Sequence, residues 1–173
     1  ITLIYNDVRR FGFFKIYTTT NINKITLLKK LGLEPFSKRF NENYFNFFIK
    51  NRKKNIKSLL MDQTFVSGLG NIYVNEILFL SKIKPTRRCN RLNKQEVKNI
   101  IFNIKKILKI SISKGGSSIK DFQNTMGENG NFQQFFDVYG RKGKNCSRIS
   151  CKGKINNIII SNRSSFYCNK CQI

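Results

Sequence analysis

Cys146-Ser147-Arg148-Ile149-Ser150-Cys151, then sixteen residues, then Cys168-Asn169-Lys170-Cys171: two close cysteine pairs flank a short β-prone insert. Each pair fits a tight turn, and an insert that folds back on itself brings all four sulfurs together. Zn²⁺ accepts four thiolates tetrahedrally at about 2.3 Å and closes the site to water. A segment this small builds little core of its own, so a metal has to supply folding energy. The reading is one structural Zn²⁺ held by Cys146, Cys151, Cys168 and Cys171. Four separate thiols, two disulfides or an iron–sulfur cluster are the competing readings. The paired spacing favours zinc, and it matches no ferredoxin run. Cys89 lies outside the pattern and reads as an incidental thiol.

Working outward, the 173 residues carry 33 Lys and Arg against 9 Asp and Glu, a net charge of +24. Four metal-bound thiolates and a divalent ion would lower this by only two. An excess of that size calls for a polyanionic partner, nucleic acid first and an anionic membrane surface second. Part of the lysine excess is attributable to AT-rich coding, given the abundance of Asn, Ile, Lys and Phe. No apolar run is long enough to span a bilayer, and no signal peptide is visible. Five cysteines in a metal-like pattern fit a reducing cytosol.

Residues 1–20 read as β, with runs at 2–5 and 11–17 separated by the turn signal Asn6-Asp7. Two strands alone are marginal, so they read as the end of a larger sheet, with the true N-terminus missing. Residues 21–40 form a connector with one helical turn ended by Gly32. Residues 41–113 read as helical. Asn41 caps a helix to about residue 52, with Tyr44, Phe45, Phe47, Phe48 and Ile49 as buried candidates. Residues 56–61 form a second helix. Ser67-Gly68-Leu69-Gly70-Asn71 is a Gly-rich turn into a third, closed by Pro85. Asn93-Lys94-Gln95-Glu96 is a capping-box-like start, after which Val97, Ile100, Ile101, Ile104, Ile107 and Leu108 recur at helical spacing. Residues 114–145 are Gly- and Asn-rich, too long for a mere connection. Residues 155–160 and 164–167 are the strands of the cysteine module.

Several residues suit contact with DNA. Arg163 lies in the stapled hairpin, which would fix a guanidinium able to grip phosphate through two parallel hydrogen bonds. Gly70 and Asn71 open a helix whose N-terminal N–H groups can hold a phosphate. Lys53 and Lys57 stand at i,i+4, on one face if the helix reaches that far back. Arg9 and Phe11 alternate onto one side of an extended chain, where an aromatic beside an arginine can fill the gap of an extruded base. Taken singly, each has a plainer reading: a solvated arginine, an ordinary turn, a solvated face, a sheet core. The chain has no His, no evident acid/base pair and no nucleotide-cradling loop.

In this order, the pieces resemble the bacterial formamidopyrimidine-DNA glycosylase family, kin of endonuclease eight, over almost the whole chain. Cys146 to Gln172 looks like that family's zinc-finger signature, with four residues rather than the usual two between the first pair. Lys57-Ser-Leu-Leu-Met61-Asp62-Gln63 followed by Gly68-Leu-Gly70-Asn71-Ile72-Tyr73 is similar to its helix-two-turns-helix element. Asp7-Val8-Arg9-Arg10-Phe11-Gly12 resembles the turn that probes the duplex, with Val8 where proline is common. Gly115-Gly116-Ser117-Ser118-Ile119-Lys120-Asp121-Phe122 looks like the lesion-capping loop, and Val138-Tyr139-Gly140-Arg141-Lys142-Gly143 matches the approach to the finger.

The resemblance implies an α+β chain: the remnant of an N-terminal β-sandwich with its linker over 1–35, an all-α helix-two-turns-helix domain over 36–126, and a β-hairpin zinc finger over 127–173. It implies a monomeric base-excision glycosylase and AP lyase of the bacterial cytoplasm and nucleoid. The partner would be double-stranded DNA containing an oxidised purine (8-oxoguanine or a formamidopyrimidine) or an abasic site, with no membrane. Arg9 and Phe11 would enter the stack. Lys53, Lys57, Gly70 and Asn71 would hold the backbone. Ser117, Ser118, Lys120 and Phe122 would close over the flipped base. Arg163 would clamp phosphate and assist strand cleavage. The family's nucleophile is an N-terminal proline amine that attacks C1′ beside a glutamate, forming an imine before β- and δ-elimination. Ile1 opens this chain, so an N-terminally truncated, catalytically silent form is expected. The alternatives are a non-catalytic zinc-containing DNA- or RNA-binding protein and a basic ribosome-associated protein.

Overall fold

The computed structural model describes residues 2–7, 10–117 and 130–173. The chain divides into two compact units, Ile1–Lys30 and Leu31–Ile173.

In the first unit, residues 2–7 and 10–18 carry no regular secondary structure, so the two strands expected there are not formed. An isolated pair of strands has too little to bury, and Leu3, Ile4, Phe11 and Ile16 stay 71–85% exposed. The turn signal does hold. The Asp7 carboxylate accepts from the Gly12 N–H at 2.6 Å and its carbonyl from the Arg10 N–H at 3.1 Å. A 3-10 turn, Thr19–Lys24, leads into one turn of helix, α1 (Thr26–Lys29).

Among the described residues, the second unit is built on four α-helices: α2 (Glu42–Ile49), α3 (Ile56–Leu60), α4 (Asn71–Leu80) and α5 (Lys94–Ser113). Side-chain caps start three of them. Asn41 accepts from the Tyr44 N–H, Asn55 from Ser58, and Asn93 exchanges bonds with Glu96 in a reciprocal box at 2.8 Å each way. Gly115 and Gly116, at φ +70° and +83°, end α5, as glycine allows. Residues 115–117 then meet 130–132 through the Ser117–Asn131 bridge and the Phe132 N–H on the Gly116 carbonyl.

Phe40, Phe45, Leu59, Leu60, Phe65, Val74, Ile77, Val97, Ile100 and Ile104 form the main core. Tyr44 stacks on Phe65 at 5.7 Å and donates its hydroxyl to the Phe65 carbonyl. Phe47, expected inside, is 80% exposed, because Phe45 and Ile49 already fill the buried face of so short a helix. Helix α4 packs against α5 on one side and the hairpin on another. That explains why residues 74–79 are all buried, the mark of a helix enclosed all round.

The hairpin pairs β1 (Ile155–Ile160) with β2 (Arg163–Cys168) antiparallel, Ile155 opposite Cys168 and Ile160 opposite Arg163. Its two-residue loop, Ser161-Asn162, has φ +50° and +57°, the double positive φ of a type I′ turn.

Candidate nucleic-acid interface and metal centre

Four sulfurs converge at the base of the hairpin. The Sγ atoms of Cys146, Cys151, Cys168 and Cys171 all lie within 4.8 Å of one another. Cys146 and Cys171 stand 3.8 Å apart, Cys151 and Cys168 3.6 Å. Tetrahedral ligands at about 2.3 Å would sit about 3.8 Å apart. The spacing therefore fits a single four-coordinate metal ion and is far too long for disulfides. Gly153 keeps the space open: a Cβ there would lie 2.5 Å from Cys168 Sγ. Arg148, Lys82, Lys152 and Lys170 line the cleft beside Cys151 and Cys171. They offset the net negative charge that four thiolates around a divalent ion would carry. Cys89 is fully buried in the helical core, and burial pushes its thiol up to about 11, so it is inert there.

The long first knuckle has a structural use that its spacing did not reveal. Arg148, inside the four-residue gap, donates to the Phe79 and Leu80 carbonyls at 2.9 and 3.1 Å and lies 4.8 Å from the Phe79 ring centre. It thereby satisfies the C-terminal carbonyls of α4. Gln172 ties the other end, accepting from the Cys168 N–H and donating to the Ile83 carbonyl at 2.8 Å each. Glu76, on the buried flank of α4, accepts three backbone N–H bonds from Asp137, Val138 and Tyr139 at 2.8–3.1 Å. Burial pushes Glu76 up to about 6 despite those donors. The signal for it in the sequence is that it is the one charged residue of α4.

Strand β2 lies against the start of α4, and the hairpin loop reaches α3, where the Ser161 and Ser58 hydroxyls stand 3.1 Å apart. Asn71 Nδ2 donates to the Ser164 carbonyl at 3.2 Å, and Asn75 Oδ1 accepts from the Phe166 N–H at 2.6 Å. Lys57 does not share a helical face with Lys53: α3 begins only at Ile56, leaving Lys53 on the exposed loop before it. Nor is Lys57 on the solvent face. It is 1% exposed, and its ammonium donates to the Ser164 carbonyl and the Ser165 hydroxyl at 2.9 and 2.6 Å. Burial, with the nearby Arg163 second, lowers it to about 8. Arg163 itself is exposed. With Lys54, Lys57, Ser58, Asp62 and Ser161 it lines a cleft of about 440 Å³.

The two glycines of the turn differ in kind. Gly68 has φ +82°, where a side chain would be strained. Its N–H is held by Gln63 Oε1 while Gln63 Nε2 holds the Leu69 carbonyl. Gly70 has an ordinary φ of −100°, and a Cβ there would meet nothing within 4 Å. The fold does not require glycine at 70; the bare backbone is left open to the outside. Phe11 is 82% exposed, and Ser117 bridges to Asn131. Arg9, Ser118, Lys120 and Phe122 lie outside the described residues.

Residues 31–123 match the family model described as the formamidopyrimidine-DNA glycosylase H2TH domain, more than half of the chain. The chain belongs to the formamidopyrimidine-DNA glycosylase family. It is 44% identical over 98% of its length to formamidopyrimidine-DNA glycosylase of Roseobacter denitrificans, and 40% identical over 99% to that of Streptococcus pyogenes. It spans 60% and 62% of those two proteins. Among solved structures, it resembles Lactococcus lactis Fpg complexed with abasic-site DNA, at TM-score 0.86 and 38% identity, covering 96% of this chain and 60% of the other. It also resembles MutM complexed with DNA containing carbocyclic 8-oxo-G, at TM-score 0.85 and 38% identity, with 96% and 60% covered. The helices followed by a cysteine-clustered hairpin are this family's fold. No helix among the described residues is long and apolar enough to cross a membrane.

Proposed function

We propose that these 173 residues form the DNA-gripping part of a bifunctional glycosylase and AP lyase that removes oxidised purines, 8-oxoguanine and formamidopyrimidines, from duplex DNA. The observation that carries this reading is the joining of hairpin and turn. Arg163 projects from a strand whose next carbonyl is held by both Asn71 and Lys57, beside a helix N-terminus left bare at Gly70. Such an arrangement presents an exposed guanidinium carried on a fixed strand, an amide and helix N-terminal N–H groups for a phosphate to bind. Lys53 extends the grip along the backbone, and Lys57 acts by fixing the strand behind Arg163.

In the same reading Arg9 and Phe11 fill the gap left by an extruded base, and Ser117, Ser118, Lys120 and Phe122 close over that base. The units 36–126 and 127–173 are the two jaws, and the protein works as a monomer. The ion in the four-cysteine site is Zn²⁺; it staples the finger and takes no part in the chemistry. Pro35 and Pro85 are the only prolines, and both nitrogens are amides within the chain. The 173 residues therefore bind damaged DNA without forming the proline imine.

Fluorescence anisotropy on a duplex with a central abasic site tests the grip. The chain should prefer this duplex to an undamaged one and to structured RNA. Arg163→Ala should weaken binding by about 1–3 kcal/mol, the loss of a charge-assisted contact. An unchanged affinity, or a preference for RNA, would sink the proposal. Borohydride should trap no covalent adduct with this chain; an adduct would locate a nucleophile elsewhere among its residues.

A further inference from the structure

The outer face of α5 has no part in the grip just described. At 3.6 residues per turn, Lys98, Phe102, Lys105, Lys106, Lys109 and Ile112 fall within an arc of roughly 120° on one side of the helix. The opposite side carries the core residues Val97, Ile100, Ile104 and Ile107. No acidic residue lies on this stripe, and none of its lysines joins an ion pair among the described residues. A solvated helix face ordinarily mixes both signs and gains from i,i+4 pairs; this one is of a single sign. Two large apolar side chains sit among the cations, Phe102 at 64% and Ile112 at 69% exposure.

Placement separates this stripe from the Arg163 cleft. Helix α4 packs against α5 and also against β2, the strand that carries Arg163. The core side of α5 faces α4, so its outer stripe points away from the hairpin.

We propose that the outer face of α5 is a second polyanion-binding surface, and that its occupant is the backbone of a separate segment of duplex DNA. Charge complementarity favours a polyanion. A lipid surface fits poorly, because the apolar face of α5 is already spent on the core and two side chains give too little area to insert. With both surfaces filled, one chain would hold two duplex segments at once, each gripped through its phosphates. The proposal rests on the DNA-binding reading above.

The experiment uses the 173-residue chain with two duplexes, one carrying a donor dye and one an acceptor, at sub-stoichiometric protein. The wild type should give energy transfer between the duplexes and bind two per chain. K98Q/K105Q/K106Q/K109Q replaces three exposed lysines and the half-buried Lys105 by another good helix former. It should keep its affinity for a single abasic-site duplex within about threefold and lose the transfer signal. In a salt titration the second binding step should lose about 3–4 from its log–log slope, near 0.9 for each phosphate contact removed. Arg163→Ala should do the reverse, weakening the lesion duplex and leaving the second step unchanged, so failure of the grip and failure of this surface can be told apart. Transfer that persists in the quadruple variant would overturn the proposal. So would strictly one-to-one binding by the wild type, a DNA-free chain that sediments as a dimer, or a stripe that binds anionic vesicles or an acidic peptide in preference to DNA.

Discussion

At Glu76 one carboxylate meets three backbone N–H groups in an environment almost closed to water. Removing it strands all three donors. Glu76→Ala should therefore destabilise the chain by roughly 2–4 kcal/mol in urea, with the segment at 137–139 loosening first in hydrogen exchange. Its folded pKa of about 6 exceeds the usual 4.5, so between those values the folded chain keeps a proton that the unfolded chain has released. The stability tied to this group is complete below about pH 4.5 and is lost as pH rises through 6, about 2 kcal/mol in all. Glu76→Gln should flatten the stability profile across that window; a profile identical to the wild type would show that Glu76 does not titrate there. Asp62 shifts the other way: the Thr64 hydroxyl at 2.6 Å, aided by Lys54 at 2.9 Å, holds it at about 2. Lys57 shows how residue type misleads on its own. A lysine in a basic cluster reads as surface charge, yet this one lies under β2, where only knowledge of the hairpin's resting place would put it.

Among the elements, the hairpin depends most on something outside its own sequence. Two six-residue strands are marginal by themselves, and their small cluster of Phe79, Val138, Cys146, Ile155 and Cys168 includes two of the four sulfurs. Chelating the metal should abolish hydrogen-exchange protection across β1 and β2 while α5, seated in the main core, keeps its own. Protection that survives in β1 would mean that the four-sulfur site is not structural. The elements were largely legible beforehand. Asn41 and Asn93 cap where their side-chain chemistry says they should, and the 3.6 periodicity of α5 matches its buried face. What failed was the strand pair over residues 1–20, because β-prone composition needs a neighbouring strand to become a ladder.

For the whole molecule, +24 on 173 residues makes salt the natural variable. Affinity for duplex DNA should fall between 50 and 200 mM salt with a slope near −0.9 for each neutralised phosphate, and Arg163→Ala should reduce that slope by about one. A salt-independent affinity would contradict the polyanion reading. By itself the sequence determined the local and the repetitive: four thiols at metal-binding spacing, capped amphipathic helices, a glycine turn, an unbalanced charge and, through its motifs, the family. Those features are set by neighbours a few residues apart, where spacing translates directly into geometry. Only the tertiary structure decided that Lys57 and Asn71 hold the strand bearing Arg163 across about a hundred residues of chain, that Arg148 closes the end of α4, and that Glu76 anchors the approach to the finger. Contacts of that kind depend on which faces meet once the core has formed, and no periodicity in the chain encodes them.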